Sequence, residues 1–297
     1  MSIQARLVKA FSRRALRREG LAGDRLVRHL RRAFNNTPVI RLIPRGIETE
    51  RIDTLAFRGD YLGHSDPKVT VLFFHGGAYI AGETRTYHNL AGRLAKQLQG
   101  EVYLPTYPFA PEHPFPAAVN RCLEAYKYLL DQGKDPANIV IGGDSAGGGL
   151  SLATLLHARD KGLPMPRCGV LLSPGTNCFP NEELLKRNDP TDDMLSADTI
   201  RNVIEVYVPN PDDRSHPYAS PGTADHTGLP PLMITACNEE VLYGDALDAK
   251  ASAEKAGVPV EWLERSGLFH VWPIFVPFVP EANQDLKRIV QYIRRQR

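Results

Sequence analysis

The chain has 297 residues, of which 42% are hydrophobic and 24% charged, a balance typical of a soluble globular protein with a full core. A net charge of +2 is too small to indicate a nucleic-acid partner, and no apolar run approaches the length of a membrane span. These numbers disfavour nucleic-acid binding and integral membrane contact.

The N-terminal segment is the exception to this even composition. Residues 1–32 contain ten Lys and Arg against two acidic residues, a local charge of +8. Its apolar residues recur at helical spacing: Ile3, Leu7, Ala10, Phe11, Leu26, Val27 and Leu30. The favoured interpretation is a solvated helix of a cap, and the alternative is a basic amphipathic helix lying on an anionic membrane.

The cellular compartment is predicted from two further features. Arginines interrupt every apolar stretch near the N-terminus, so the segment does not read as a secretion signal. The cysteines show no metal-like pairing and are expected to be free, buried thiols: Cys122, Cys168, Cys178 and Cys237. Both features favour the reducing cytoplasm.

After residue 50, short apolar runs alternate with longer amphipathic ones. Ile47–Leu62 reads as an exposed hairpin. Six further strands are predicted at Val69–His75, Glu101–Tyr107, Asn138–Gly143, Cys168–Pro174, Pro231–Ala236 and Val260–Arg265. Helices are predicted over residues 85–98, 117–131, 146–160 and 245–256. The alternation predicts an α/β protein with a mainly parallel sheet covered on both faces.

Two segments fall outside this alternation. One is the arginine-rich start, about residues 1–45, and the other is a charged, helical stretch at about residues 179–216. We expect them to form one lid over the sheet of a single domain, residues 1–297.

A G-x-S-x-G sequence lies between a predicted strand and a predicted helix. It runs from Gly143 to Gly147 with Ser145 at its centre. This context is the one required by a nucleophile elbow, a sharp turn that exposes the serine, and small neighbours let the chain bend that tightly. The sequence therefore predicts Ser145 as a nucleophile.

A second glycine-containing sequence, His75-Gly76-Gly77-Ala78, also follows a predicted strand. Acyl transfer develops negative charge on a carbonyl oxygen, and backbone amides must point at that oxygen. With Ser145 in an elbow, we expect the amides of Gly76, Gly77 and Ala146 to form an oxyanion hole.

The base and the acid are expected later in the chain, in the order serine, acid, histidine. His270 follows the last predicted strand and is the predicted base. Glu240, four residues beyond a strand end, is the favoured acid. Asp245, which is also a candidate helix cap, and Glu239, which is a candidate solvent-facing residue, stay open as alternatives.

Three motifs in order resemble the hormone-sensitive-lipase-like branch of the α/β-hydrolase fold, known among bacterial esterases as family IV. They are His75–Ala78, Tyr107–Ala117 and Gly143–Gly148, and the resemblance covers roughly residues 65–297. It implies an eight-stranded core under a helical cap built from the two off-pattern segments. In the family's acid motif, Glu240 falls on the catalytic aspartate.

The expected function is that of a serine carboxylesterase with Ser145, His270 and Glu240 as its triad and no metal or organic cofactor. The resemblance implies a small-molecule ester with a short to medium acyl chain. The residues predicted to line its pocket are Tyr79, Phe109, Phe179, Tyr207 and Val208. A non-catalytic binding protein on the same scaffold and a lactone or amide hydrolase are the alternatives, and a homodimer is one option for the assembly.

Overall fold

The computed structural model describes residues 1–35 and 40–296, so residues 36–39 of the predicted lid lie outside the described residues. The strands are Glu48–Asp53 (β1), Arg58–Gly63 (β2), Thr70–Phe74 (β3), Glu101–Pro105 (β4), Ile139–Asp144 (β5), Cys168–Leu172 (β6), Leu232–Cys237 (β7) and Val260–Arg265 (β8). The helices are Ile3–Ala15 (α1), Gly23–Asn35 (α2), His88–Leu98 (α3), Ala117–Asp131 (α4), Ala146–Asp160 (α5), Glu182–Asn188 (α6), Ala197–Tyr207 (α7), Tyr243–Lys255 (α8) and Pro280–Arg295 (α9).

The eight strands form one sheet in the order β1-β2-β4-β3-β5-β6-β7-β8. The β1–β2 hairpin is antiparallel and joins the edge of the sheet through an antiparallel pairing of β2 with β4. The other neighbours pair in parallel, so β3 to β8 end at the same edge. In open α/β sheets this carboxyl edge is where ligands bind.

Side-chain alternation along the buried strands divides the core into two layers. In β3, Leu72 and Phe74 pack with α4, α5 and α8 on one face, whereas Val71 and Phe73 pack with α3 and α9 on the other. Successive side chains of a strand point to opposite faces, so a strand buried on both faces is apolar throughout. This is the arrangement that the continuous apolar runs predict.

The helix predicted from residue 245 begins earlier than expected. Helix α8 starts at Tyr243, with Leu242 as the preceding residue, so Asp245 lies within the first turn and does not cap the helix. Its carboxylate accepts hydrogen bonds from the amides of Thr176 and Asn177 instead. The prediction of Asp245 as a cap is therefore wrong.

The two off-pattern segments contact each other. Arg17, just after α1, donates to the carbonyl oxygens of Asp192 and Leu195 at 3.0 and 2.6 Å. Leu30 of α2 belongs to the same apolar cluster as Val203 of α7. These contacts support a two-part lid, which stays a prediction.

Within residues 1–35 and 40–296, no helix is long and apolar enough to cross a bilayer. The four cysteines are all buried and free.

Candidate active site

Ser145 lies at the turn between β5 and α5, at the carboxyl edge of the sheet. Its φ of +54° is a left-handed conformation that non-glycine residues rarely adopt. The turn is held by the Ser145 amide, which donates to the Leu172 carbonyl at 2.9 Å, and by close packing of α5. A Cβ on Gly147 would collide with the carbonyl oxygen of Phe74, which is why a glycine is needed there. The strand, strained serine and helix together form the predicted elbow.

His270 and Glu240 are joined by a short hydrogen bond. His270 lies in the loop after β8 and Glu240 in the loop after β7, and the distance from Nδ1 to Oε2 is 2.6 Å. Both side chains are buried. The other carboxylate oxygen, Oε1, accepts from the Cys237 amide at 2.8 Å, which fixes its orientation.

The remaining imidazole nitrogen of His270 is buried and makes no hydrogen bond within residues 1–35 and 40–296. Since Nδ1 faces Glu240, this Nε2 is left for a reacting group, and His270 lines the same cavity as Ser145. Burial lowers the pKa of His270, but the hydrogen bond and charge of Glu240, with the charges of Asp192 and Asp144, raise it above its usual 6.5 overall. The site therefore stabilises the imidazolium that forms when a base takes a proton.

Within the described residues, neither of the other two candidate acids makes a hydrogen bond to His270. The carboxylate of Asp245 faces the Thr176 and Asn177 amides at 2.7 and 2.9 Å. Burial raises the pKa of Asp245 to about 7, against the effect of those two amides. Glu239 is partly exposed and contributes its carbonyl oxygen, not its carboxylate, to a hydrogen bond from Thr191. The structure thus pairs Glu240 with the histidine.

The loop that carries Glu240 is held by the last residue of α6 and by the segment that follows this helix. The Asn188 side-chain amide donates to the Glu240 carbonyl at 2.8 Å, and the Asp192 carboxylate accepts from the Val241 amide at 2.8 Å. Arg17 in turn holds the Asp192 carbonyl. A chain of hydrogen bonds thus connects the N-terminal segment to the acid loop, a connection that no local sequence signal indicates.

The predicted oxyanion hole needs one correction. The Gly76 amide already donates to Asp144 Oδ1 and to the Tyr87 hydroxyl, each at 2.9 Å, so it is not available to a substrate. Gly77 and Ala78 line the cavity, and their amides donate to no residue in the described ranges. Ala146 is the first residue of α5, and the first amides of a helix have no intrahelical acceptor. The available donors are therefore Gly77, Ala78 and Ala146.

Asp144 connects the two glycine-containing turns. Its carboxylate is buried and accepts from the Gly76 amide and the Tyr87 hydroxyl. Burial raises the pKa of Asp144 to about 7, although both hydrogen bonds favour the charged form. Nearby, burial lowers the pKa of His75 to about 4, so its ring is neutral while it contacts the Gly76 carbonyl. These contacts fix the turn that presents Gly77 and Ala78.

The cavity next to Ser145 has a volume of about 540 Å³. Tyr79 and Tyr207 line it, with their rings stacked at 3.7 Å between centroids. Phe109, Phe179 and Val208, which were also predicted to line the pocket, are not among the residues around this cavity. Phe109 packs against Tyr107 and His75, Phe179 is exposed to solvent, and Val208 is buried in the core.

Much of the cavity lining comes from segments whose residues were not predicted to line it. The N-terminal helices and the region before α9 contribute apolar side chains: Phe11, Ala15, Leu16, Leu30, Phe34, Ile274, Phe275 and Phe278. Helical spacing marks the apolar residues of α1 and α2, but it does not show what they face.

No cluster of three or more His, Cys, Asp and Glu within residues 1–35 and 40–296 has an arrangement that could hold a metal ion.

Comparison with known proteins places these features in a family. A family profile described as alpha/beta hydrolase fold matches residues 71–274. An acetyl-hydrolase of Streptomyces hygroscopicus is 37% identical over 225 residues, which are 76% of this chain and 75% of the relative. An esterase of Acinetobacter venetianus is 31% identical over 264 residues, 88% of this chain and 84% of the relative.

Solved structures agree over nearly the whole chain. A crystal of EstE5 soaked with p-nitrophenyl butyrate superposes with a TM-score of 0.89 at 32% identity, covering 99% of this chain and 98% of that one. An esterase from the bacterial hormone-sensitive lipase family superposes with a TM-score of 0.88 at 31% identity, covering 100% and 99%. This chain therefore belongs to the α/β-hydrolase fold family and, within it, to the hormone-sensitive-lipase-like carboxylesterases.

Proposed function

We propose that Ser145, His270 and Glu240 form the catalytic triad of this carboxylesterase and that its substrates carry short to medium acyl chains. The observation that carries the proposal is the buried 2.6 Å hydrogen bond between Glu240 and His270, on the cavity that the strained Ser145 also lines. A nucleophile, a base and a group that orients the base are the parts required for acyl transfer through a covalent intermediate.

In the first half-reaction the Ser145 Oγ attacks the ester carbonyl carbon while His270 Nε2 takes its proton. The carbonyl electron pair moves to the oxygen, and the amides of Gly77, Ala78 and Ala146 stabilise that oxyanion. When the intermediate collapses, the bond to the leaving oxygen breaks, and His270 returns the proton to the alcohol. Glu240 fixes the imidazole tautomer and stabilises its charged form throughout.

In the second half-reaction a water molecule attacks the acyl-Ser145 carbonyl, with His270 again taking the proton. The same three amides stabilise the new oxyanion. Collapse breaks the bond to the Ser145 Oγ, the serine regains its proton from His270, and the carboxylic acid leaves. Protons and electron pairs balance without a cofactor.

The acyl preference is supported by the cavity. Ligand pockets for small molecules span roughly 300–1,000 Å³ and are mostly apolar. The cavity here, about 540 Å³ with aromatic and aliphatic walls, accommodates such a molecule. Two similar proteins agree with short chains: one is named an acetyl-hydrolase, and crystals of the other, EstE5, were soaked with p-nitrophenyl butyrate.

We expect hydrolysis of p-nitrophenyl esters to be most efficient with short to medium chains and to fall towards palmitate. The measurement is kcat/KM across the series from acetate to palmitate, with p-nitroanilides and lactones as matched comparisons. Turnover that is fastest with the anilides or lactones would move the assignment to an amide or lactone hydrolase. A folded protein that binds the esters without turning them over would indicate the non-catalytic binding protein.

We further propose the cytoplasm as the location, supported by the four buried, free thiols, which suit a reducing compartment.

A homodimer stays a prediction. Its measurement is the molar mass of the protein in solution.

A further inference from the structure

Helix α1 turns its largest apolar side chains towards solvent. Ile3, Leu7 and Phe11 are spaced four residues apart and are 73%, 66% and 67% exposed, while the smaller Ala5 and Ser12 on the opposite side are buried. A surface helix normally turns its apolar stripe towards the core. The interpretation of α1 as an ordinary solvated cap helix does not account for this orientation.

Helix α2 provides an internal comparison, because it has the same number of Lys and Arg residues as α1 and packs in the ordinary way. Its apolar residues Leu26, Val27 and Leu30 are buried against the body of the protein. Its exposed side carries Arg25 and Arg28. Of these two helices, as far as the structure describes them, only α1 combines exposed cations with exposed apolar side chains.

The cations of α1 lie beside its apolar stripe. Arg6, Arg13 and Arg14 are exposed. Arg13 contacts Asp193 at 3.4 Å, whereas Arg6 and Arg14 form no ion pair with any residue in the described ranges. Arg14 follows Phe11 by three residues, so both lie on the same face of the helix. Apolar side chains flanked by free arginines complement a surface that is anionic outside and apolar inside.

The exposed stripe continues into the mouth of the cavity. Phe11 lines the cavity although two-thirds of it is exposed, and Ile40 and Phe278 are likewise both exposed and cavity-lining. The start of α1 is also fixed beside that region, because the Ser2 hydroxyl donates to Glu281 at 2.7 Å. A surface bound by α1 would therefore lie against the opening that leads to Ser145.

We propose that the outward face of α1 docks the enzyme on an anionic lipid surface. Ile3, Leu7 and Phe11 enter the boundary between headgroups and acyl chains, and Arg6 and Arg14 contact the lipid phosphates. The binding is peripheral, and it places the cavity mouth where esters dissolved in the lipid can enter. Docking does not depend on the catalytic residues, so its test is separate from that of the proposed function.

The test is co-sedimentation of the full chain with phosphatidylcholine vesicles prepared with and without phosphatidylglycerol. Wild type should bind the phosphatidylglycerol vesicles, and high salt should weaken binding by screening. Ile3→Gln with Leu7→Gln should weaken it at least about tenfold by removing apolar burial. Arg6→Gln with Arg14→Gln should weaken it about thirtyfold.

Two controls make the result decisive. Arg25→Gln with Arg28→Gln removes the same charge from α2 and should leave most binding intact. Hydrolysis of soluble p-nitrophenyl acetate should be unchanged in the Ile3/Leu7 variant, which would show that this variant is folded.

The proposal would be overturned if both arginine pairs caused the same loss of vesicle binding, or if wild type did not bind the vesicles. So would a wild-type dimer that the Ile3/Leu7 variant converts to monomer, because the stripe would then cover a second copy of the chain.

Discussion

Ser145→Ala is expected to lower kcat/KM for p-nitrophenyl butyrate by at least about 10⁴-fold. Alanine has no oxygen to attack the carbonyl, so no acyl-enzyme forms. The turn should survive, because it is held by backbone contacts: the residue 145 amide donates to Leu172, and its carbonyl accepts from Gly149 and Gly175. The unfolding temperature should therefore stay close to that of wild type.

Ser151→Ala is the matched control on the same helix. Ser151 is buried, and its hydroxyl donates to the Gly147 carbonyl at 2.7 Å, so its loss should cost about 1 kcal/mol of stability. Its turnover should nevertheless stay within a few-fold of wild type, since it does not line the cavity. A folded Ser145→Ala protein that keeps wild-type turnover would remove Ser145 from the mechanism.

Glu240→Gln is expected to lower kcat by about 10³- to 10⁴-fold, as for other triads that lose their carboxylate. Glutamine can keep a hydrogen bond to Nδ1 but not the charge that stabilises the imidazolium. Asp245→Asn should keep kcat within about tenfold, because both amides that Asp245 binds face one oxygen, which an amide carbonyl can replace. The measurement is kcat for both variants beside wild type. A larger loss in Asp245→Asn than in Glu240→Gln would contradict the assignment of the acid.

The pH profile distinguishes the role of Glu240 from a structural one. His270 must be neutral to accept a proton, so activity falls as the pH drops through its raised pKa, above 6.5. Glu240 stabilises the protonated form, and removing its charge lowers the pKa. The acid limb of the kcat/KM profile should therefore move to lower pH in Glu240→Gln. If the acid limb does not move, the charge of Glu240 does not affect the pKa of His270.

The sequence predicts those parts of the fold that depend on local pattern. Helices α4 and α5 have the predicted bounds, 117–131 and 146–160, because apolar residues three and four apart meet clear breaks such as Gly162. The eight-stranded α/β fold is confirmed. The chain order of serine, acid and histidine could also be predicted, because each follows a strand that ends at one edge of the sheet.

What the sequence leaves undetermined depends on contacts between distant residues. The sequence does not show which backbone amides of Gly76, Gly77 and Ala78 are free to bind a substrate. Only the contact with Asp144, 68 residues away, shows that the Gly76 amide is occupied. Phe109 and Tyr207 are both aromatic residues near loops, yet only Tyr207 reaches the cavity. Helix α9 was not predicted, although Leu286, Ile289 and Ile293 have helical spacing.

Sulfonylation tests most directly whether Ser145 carries the acyl group. After incubation with phenylmethylsulfonyl fluoride, the intact mass and a peptide map should show one sulfonyl group, on Ser145, formed in step with the loss of esterase activity. The serine oxygen bonds to sulfur, fluoride leaves, and His270 takes the proton. Full inhibition with the sulfonyl group on another residue, or a modified Ser145 in an enzyme that still hydrolyses esters, would contradict the mechanism.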